Sequence, residues 1–314
     1  MEDSNETIVW EDDPDHARHQ NQDPFAEARI GDHLRMYPTN VPAEIAFNAI
    51  ARTIQAHPHW NPHCRKFIVV EGRKTVLIPP SLPSTPRAGR DPEKQQEILT
   101  GHFRFNLDIL PAQFANGWVV GSGRSDMTNL GVDIVVTDDG ERDGVRGRHV
   151  QIYHSPDRVL MLKPSPGKTA YLNHEKLEND GRALRHTSGL LIGNLLFKVQ
   201  FTEHNQKFYL GRLNQLIQAS AGWRSSRRTS FNPTPSQSTM DLWGYQFQSP
   251  RAAGTYGVVL PCIHSTTGIA RAAKRIGRRK GTFHLVNNEI SILKVVGDAG
   301  PHVSSSGDPI LWYN

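Results

Sequence analysis

The sequence predicts a mainly β protein, and three observations carry that expectation. Between Gly117 and Thr202 the chain reads as GWVVGSGRSD, GVDIVV, RGRHVQIYH, VLMLKPS, TAYLNHEKL and LLIGNLLFKVQFT, each a short alternating or continuous apolar run closed by Gly, Pro, Asp or Asn. No stretch of twelve or more residues in this region keeps a helical period, and short strands at regular spacing point to a sandwich or barrel of antiparallel strands. The 26 Gly and 21 Pro of the chain favour turns and connections over helix bundles.

The 314 residues allow two domains, and with 37% hydrophobic and 21% charged residues the chain can bury a sizeable core. A formal charge of +5 suggests anionic company without identifying it, because no continuous patch dominates the sequence. Cys64 and Cys262 are too few and too far apart for a disulfide framework, which fits a reducing compartment. No run has the apolar length of a secretory leader or a membrane span, so a soluble protein of the nucleus or cytoplasm is expected, with no membrane partner.

Residues 1–40 are acidic, polar and without period, and are expected to be a disordered tail. Residues 41–95 read as an extension with one helix and a loop. The helix covers Ala43–Ala56, with Ile45, Ala46, Ile50 and Ile54 near one face, Pro42 before it and Pro58 after it. His57, His59, His63 and Cys64 follow, but Pro58 and Pro62 intervene and no second pair stands at a zinc-finger spacing, so the cluster reads as a polar loop and no metal is expected. Two strand-like runs, KFIVVEG and KTVLIPP, precede a breaker-rich connection, PPSLPSTPRAGRDPEKQQ.

The sandwich is assigned to residues 96–205, with Phe103–Leu110 as its first strand. Glu203–Leu216 fits a helix or a last strand. Residues 206–240 are assigned to a flexible linker, rich in Ser, Thr, Arg and Pro towards its C-terminal half. Within it, Arg227-Arg228-Thr229-Ser230 and Ser236-Gln237 match short kinase-substrate patterns of the kind that hydroxyl-rich linkers produce by chance. A second informative stretch covers 241–303, and 304–314 form a tail.

The residues within the strands give the first region a family resemblance. Gly123-Arg124, Asp133-Ile134, His149, Asn173, and Ile192-Gly193 with Phe197 stand in the order and spacing of a forkhead-associated (FHA) domain, a phosphothreonine-reading β-sandwich. The resemblance implies a phosphopeptide site containing Arg124 and Asn173. At three positions the sequence departs from the family. Its ligand-binding Ser falls on Arg146, the Arg after it on Gly147 and its Asn on Lys168, so the hydroxyl and amide are replaced by cations, with Arg148 beside them. The expected partners are phosphorylated or acidic protein segments, bound through Arg124, Arg146, Arg148, Lys168 and Asn173.

The stretch YQFQSPRAAGTYGVVLPCIHSTTGIARAAKRIGRRKGTFHLVNNEISILKVV resembles the start of a protein-kinase small lobe, a partial α+β unit. Its Gly-rich loop falls on Ala252–Val259, its strand lysine on Lys274 and its helix glutamate on Glu289. Gly254 and Gly257 allow a strand turn to approach phosphates, and Val259 and Ala272 offer apolar walls to an adenine. Lys274, held by Glu289, would meet the α- and β-phosphates of ATP with Mg. The run KRIGRRK also reads, beyond Lys274, as a basic patch for nuclear import or nucleic acid; the strand reading ranks first and a nucleic-acid partner is not expected. Together the two regions resemble a fungal checkpoint-type FHA-linked serine/threonine kinase.

Residues 298–314 hold no His-Arg-Asp and no Asp-Phe-Gly, the large-lobe elements that phosphoryl transfer needs. A truncated small lobe is therefore expected, with no catalytic residues, no required cofactor, weak binding of ATP with Mg at most, and an apolar surface that recruits a partner. The sequence reading is a non-catalytic signalling protein that binds phosphorylated or acidic segments. The alternative is a piece of an ATP-dependent serine/threonine kinase.

Overall fold

The chain enters the fold earlier than expected, at β1 (Asp32–Pro38), where Leu34 and Met36 turn inward and Arg35 and Tyr37 outward. This run lies inside the stretch assigned to a disordered tail; its two buried apolar side chains are too few to stand out from the polar sequence around them. The structure is a computed structural model that describes residues 32–57, 61–78, 94–113, 117–123, 131–155, 157–203, 206–219, 240–242, 244–249, 252–254, 257–275, 284, 287, 288, 291 and 310–313.

Asn40 ends β1 and starts α1 (Val41–Ala56), its Oδ1 accepting from Ala43 N at 3.1 Å. The same oxygen accepts from Leu196 N at 3.1 Å, and Asn40 Nδ2 donates to Asn194 O at 2.8 Å, so the cap also ties the helix to a distant turn. Of the expected apolar face of α1, Ala46, Ile50 and Ile54 are buried, while Ile45 is half-buried and Phe47 is buried with the other three. A short α2 (Pro62–Arg65) leads to β2 (Ile68–Ile78). The two strand-like runs read from the sequence are thus one strand, with Gly72 at a register shift rather than a hairpin turn. It pairs along β3 (Lys94–Asn106), which includes the last residues of the connection expected before the sandwich.

The remaining sandwich strands are β4 (Trp118–Ser122), β5 (Ile134–Thr137), β6 (Arg148–His154), β7 (Leu160–Pro164), β8 (Ala170–Leu172), β9 (Glu175–Lys176), β10 (Arg182–Ala183), β11 (Thr187–Ile192) and β12 (Leu195–Phe201). They form a seven-stranded sheet in the order β2-β3-β1-β12-β11-β8-β9 and a five-stranded sheet in the order β10-β7-β6-β4-β5. The mainly β expectation holds, and the two sheets enclose one core from Leu34, Phe103, Trp118, Ile134, Ile152 and Phe197. Two details correct the sequence reading. Phe103 belongs to a strand that pairs with β1, so β1 and not Phe103–Leu110 comes first, and β4 and β5 run parallel rather than antiparallel.

Residues 206–219, assigned to the linker, form α3 (Gln206–Ala219). Tyr209 and Leu213, four apart, bury in the sandwich core, which settles the open choice between helix and strand. Tyr209 Oη lies 2.9 Å from His154 Nε2, and both groups are buried. Burial alone pushes the His154 pKa down to about 3 and raises that of the Tyr209 phenol.

The third sheet contains β13 (Met240–Leu242), β14 (Tyr245–Phe247), β15 (Ala252–Gly254), β16 (Gly257–His264), β17 (Ala270–Arg275) and β18 (Ile310–Tyr313). The last of these lies in the expected tail; Leu311 pairs with Lys274, so the tail covers the edge of β17. The β16–β17 turn packs on the sandwich. Ile263 joins Val159, Met161 and Ala183 in a small apolar cluster, Ser155 Oγ donates to Gly268 O at 3.0 Å, and Ala270 N donates to Asp157 Oδ2 at 2.9 Å. Among the described residues no helix is long and apolar enough to cross a membrane.

Candidate functional site

One end of the sandwich gathers the loops before β6, before β8 and between β11 and β12. His149 joins the first two. Its Nδ1 accepts from Arg146 N at 3.2 Å and its Nε2 faces Thr169 O at 3.0 Å, so the neutral ring with its proton on Nε2 satisfies both loops. Burial lowers the His149 pKa and the charge of Lys168 lowers it further; together they outweigh the opposing bond to Thr169 O and favour the neutral ring. The backbone loops are tied again where Ser122 Oγ accepts from Gly147 N at 2.7 Å and Asn194 N donates to Asp143 O at 3.0 Å.

The charges at this end are sorted by those bonds. Arg142 donates from Nε and Nη2 to the buried Asp143, both at 2.8 Å, and Thr137 Oγ1 donates to the same carboxylate at 2.5 Å. The Asp143 carboxylate holds the Arg142 pKa above its ordinary value. Arg142 is therefore a structural cation. Arg146 is exposed and Arg148 and Lys168 are half-buried; among the described residues none of the three side chains forms an ion pair. Asp138, Asp139 and Glu141 are exposed on the same loop, so the end is mixed in charge rather than uniformly basic.

Of the five expected ligand residues, Arg146 and Lys168 lie on the two loops that His149 joins, and Arg148 begins β6 beside them. Arg124 lies outside the described residues. Asn173 stands at the other end of β8, about five residues from Lys168, or about 16 Å along an extended strand. It adopts φ 52°, its Oδ1 accepts from Gly189 N at 2.7 Å, and its own N donates to Gly189 O at 2.7 Å. These bonds make it the residue that shapes the β8–β9 turn. Sequence reasoning missed Ser122, whose hydroxyl holds the loop from below; the only signal was its place at the end of an apolar run.

Of the His57, His59, His63 and Cys64 cluster, His59 lies outside the described residues, and His63 and Cys64 are accounted for locally. His63 Nε2 lies 2.8 Å from Asp133 Oδ1, and the Asp133 carboxylate also accepts from Ala112 N at 2.6 Å and Val119 N at 2.8 Å. Cys64 is buried, with its pKa pushed up to about 12 by burial first and by Asp133 second. Among the described residues no group of three or more His, Cys, Asp or Glu side chains is placed to hold a metal.

In the third sheet, Gly254 and Gly257 pair across the end of the β15–β16 hairpin. Val259 lies directly opposite Lys274, and Pro261 opposite Ala272, so alternation puts Val259, Ala272 and Lys274 on one face. The other face carries the buried Leu260, Cys262 and Ala273. Ile263 follows on the same face as Val259, and there the sandwich covers it. A nucleotide on this face would meet Val259 and Lys274 but would find its inner end closed. Glu289 lies outside the described residues, as do the residues between Gly254 and Gly257.

No protein-family model matches the chain, and no curated protein matches it. Among solved structures it is similar to the crystal structure of Rad53 1-466 in complex with AMP-PNP, at 18% identity and a TM-score of 0.35, over 62% of this chain and 45% of that one. The chain therefore spans less than half the length of the structure it matches.

Proposed function

We propose that the sandwich is a binding module for phosphorylated or acidic protein segments, and that the chain contributes recognition rather than catalysis in a kinase-related signalling setting in the nucleus or cytoplasm. The observation that supports this reading is the His149 bracket. One neutral ring fixes the Arg146 loop and the Thr169 loop together, which brings Arg146, Arg148 and Lys168 to one end of a rigid scaffold. Cations held there by backbone bonds, and not neutralised like Arg142, bind an anionic group without first being reorganised. The exposed carboxylates of the same loop favour a compact, doubly charged phosphate over an extended acidic surface.

The test is fluorescence anisotropy of the full chain with a degenerate phosphothreonine peptide pool, its unphosphorylated twin and a glutamate-substituted pool. Binding of the phosphorylated pool that drops at least about a hundredfold in Arg146→Ala/Lys168→Ala supports the reading, since charge-assisted bonds contribute about 1.5–3 kcal/mol each. Equal binding of all three pools, or none, refutes it.

A second reading is favoured by the shared face of Val259, Ala272 and Lys274: a nucleotide-binding small lobe belonging to a serine/threonine kinase. ATP would supply the phosphoryl group, with Lys274 placed to meet its α- and β-phosphates. A thermal shift with ATP and Mg that is lost in Lys274→Met would favour it over the first.

A further inference from the structure

The outer face of the seven-stranded sheet joins residues that are scattered through the sequence. The register sets Arg104 beside Arg35, and Arg35 beside Gln200. The next row places Tyr37 beside Lys198 and Lys198 beside Gly189. Beyond it, Leu191 stands next to Tyr171, and Tyr171 next to Lys176. No acidic residue occupies any of these positions. The neighbouring carboxylates are already engaged: Asp32 with Arg35 at 3.7 Å, Glu71 with His102 at 3.0 Å, and Glu175 with Arg182.

Tyr171 is 37% exposed, and Tyr37 is half-buried with its ring centre 5.1 Å from that of His102; Lys198 and Lys176 are exposed, and Arg35 and Arg104 are half-buried. Lys198 Nζ stands 6.0 Å from the centre of the Tyr37 ring. Gly189 brings no side chain to the row, and a Cβ there would meet only Asn173 Oδ1 at 3.9 Å, so the face is hollow beside Lys198. Arg35 Nε is buried without a hydrogen-bond partner among the described residues.

We infer that this face binds single-stranded nucleic acid. Tyr37 and Tyr171 lie three strands and two residues apart, about 16 Å on sheet spacings, with Lys198 between them. That arrangement offers two stacking platforms for unpaired bases and a line of cations for the backbone joining them. An acidic peptide would use the cations and leave the rings idle. A duplex would present no unpaired base to either ring. The proposal is independent of the phosphopeptide reading, because the loop end of the sandwich contributes none of these residues.

The experiment is anisotropy of labelled short oligouridine and oligothymidine with the full chain across a salt series. About three phosphate contacts give a slope of log K against log salt near about −2, and Tyr37→Ala or Tyr171→Ala weakens binding about tenfold each. Lys198→Glu abolishes it, and Arg146→Ala/Lys168→Ala leaves it unchanged. Where Tyr37→Ala lowers the melting temperature, Tyr37→Leu and Lys198→Glu carry the test. Absence of binding, equal binding of duplex, displacement by polyglutamate at matched charge, tight binding by the ring variants, or loss in the Arg146/Lys168 variant overturns the inference.

Discussion

Lowering the pH should weaken the fold through His154. Its ring is buried between the sheets, 5.9 Å from the Trp118 ring and 2.9 Å through Nε2 from Tyr209 Oη. Burial pushes its pKa down to about 3 from an unfolded value of 6.5. Because the folded value is the lower one, the unfolded chain binds the extra proton, so this stabilisation is fully present above about pH 6.5 and is lost as pH falls towards 3. For one such group the linkage relation gives a loss of about 1.3 kcal/mol between pH 7 and 5.5. His149 and His264 are shifted in the same direction by burial first, and add to the loss. The double variant His154→Leu/Tyr209→Phe removes the polar pair and keeps the volume near that of the original. Urea unfolding followed by tryptophan fluorescence at the two pH values should show the wild-type protein losing about 1.3 kcal/mol more than this variant. Equal losses would refute the reasoning, and would mean that water reaches the ring.

Asn40→Ala should destabilise the protein by about 2 kcal/mol, because it removes a helix cap and two bonds to the β11–β12 turn together; Asn40→Asp, which still accepts from Ala43 N and Leu196 N but cannot donate to Asn194 O, should recover only part of it in the same unfolding assay. Gly268→Ala should loosen the third sheet from the sandwich. Gly268 holds φ +65°, and a Cβ there would stand 2.6 Å from Met161 Sδ and 2.8 Å from Ser155 Cβ. Hydrogen exchange should rise at residues 263–270 and near Ser155 while the Phe103 region stays protected; unchanged exchange at the turn would contradict the packing described.

What could be read in the sequence follows periodicity. The core strands from β4 to β12 carry apolar runs with turn residues at their ends, and α1 carries a helical face bounded by Pro42 and Pro58. The segments missed are those whose order comes from distant partners. β1 has only Leu34 and Met36 to mark it, α3 is held chiefly by Tyr209 and Leu213, and β18 pairs with β17 from 35 or more residues away. Local pattern cannot reveal an element whose stabilising contacts lie elsewhere in the chain.

The candidate site divides in the same way. Motif order placed Arg146 and Lys168 on loops and Arg148 beside them, where it begins β6, and His149 stands in the same motif. That Arg142 is neutralised by Asp143, and that Asn173 shapes a turn at the far end of β8, depends on hydrogen bonds that spacing does not encode. By itself, the sequence determined the fold class, most of the strands and the residue types that could meet an anion. Only the tertiary structure decided which cations are left to do so and which face collects Tyr37, Lys198 and Tyr171. The physical reason is that strand pairing sets neighbours by register across the sheet, and register joins residues more than a hundred positions apart.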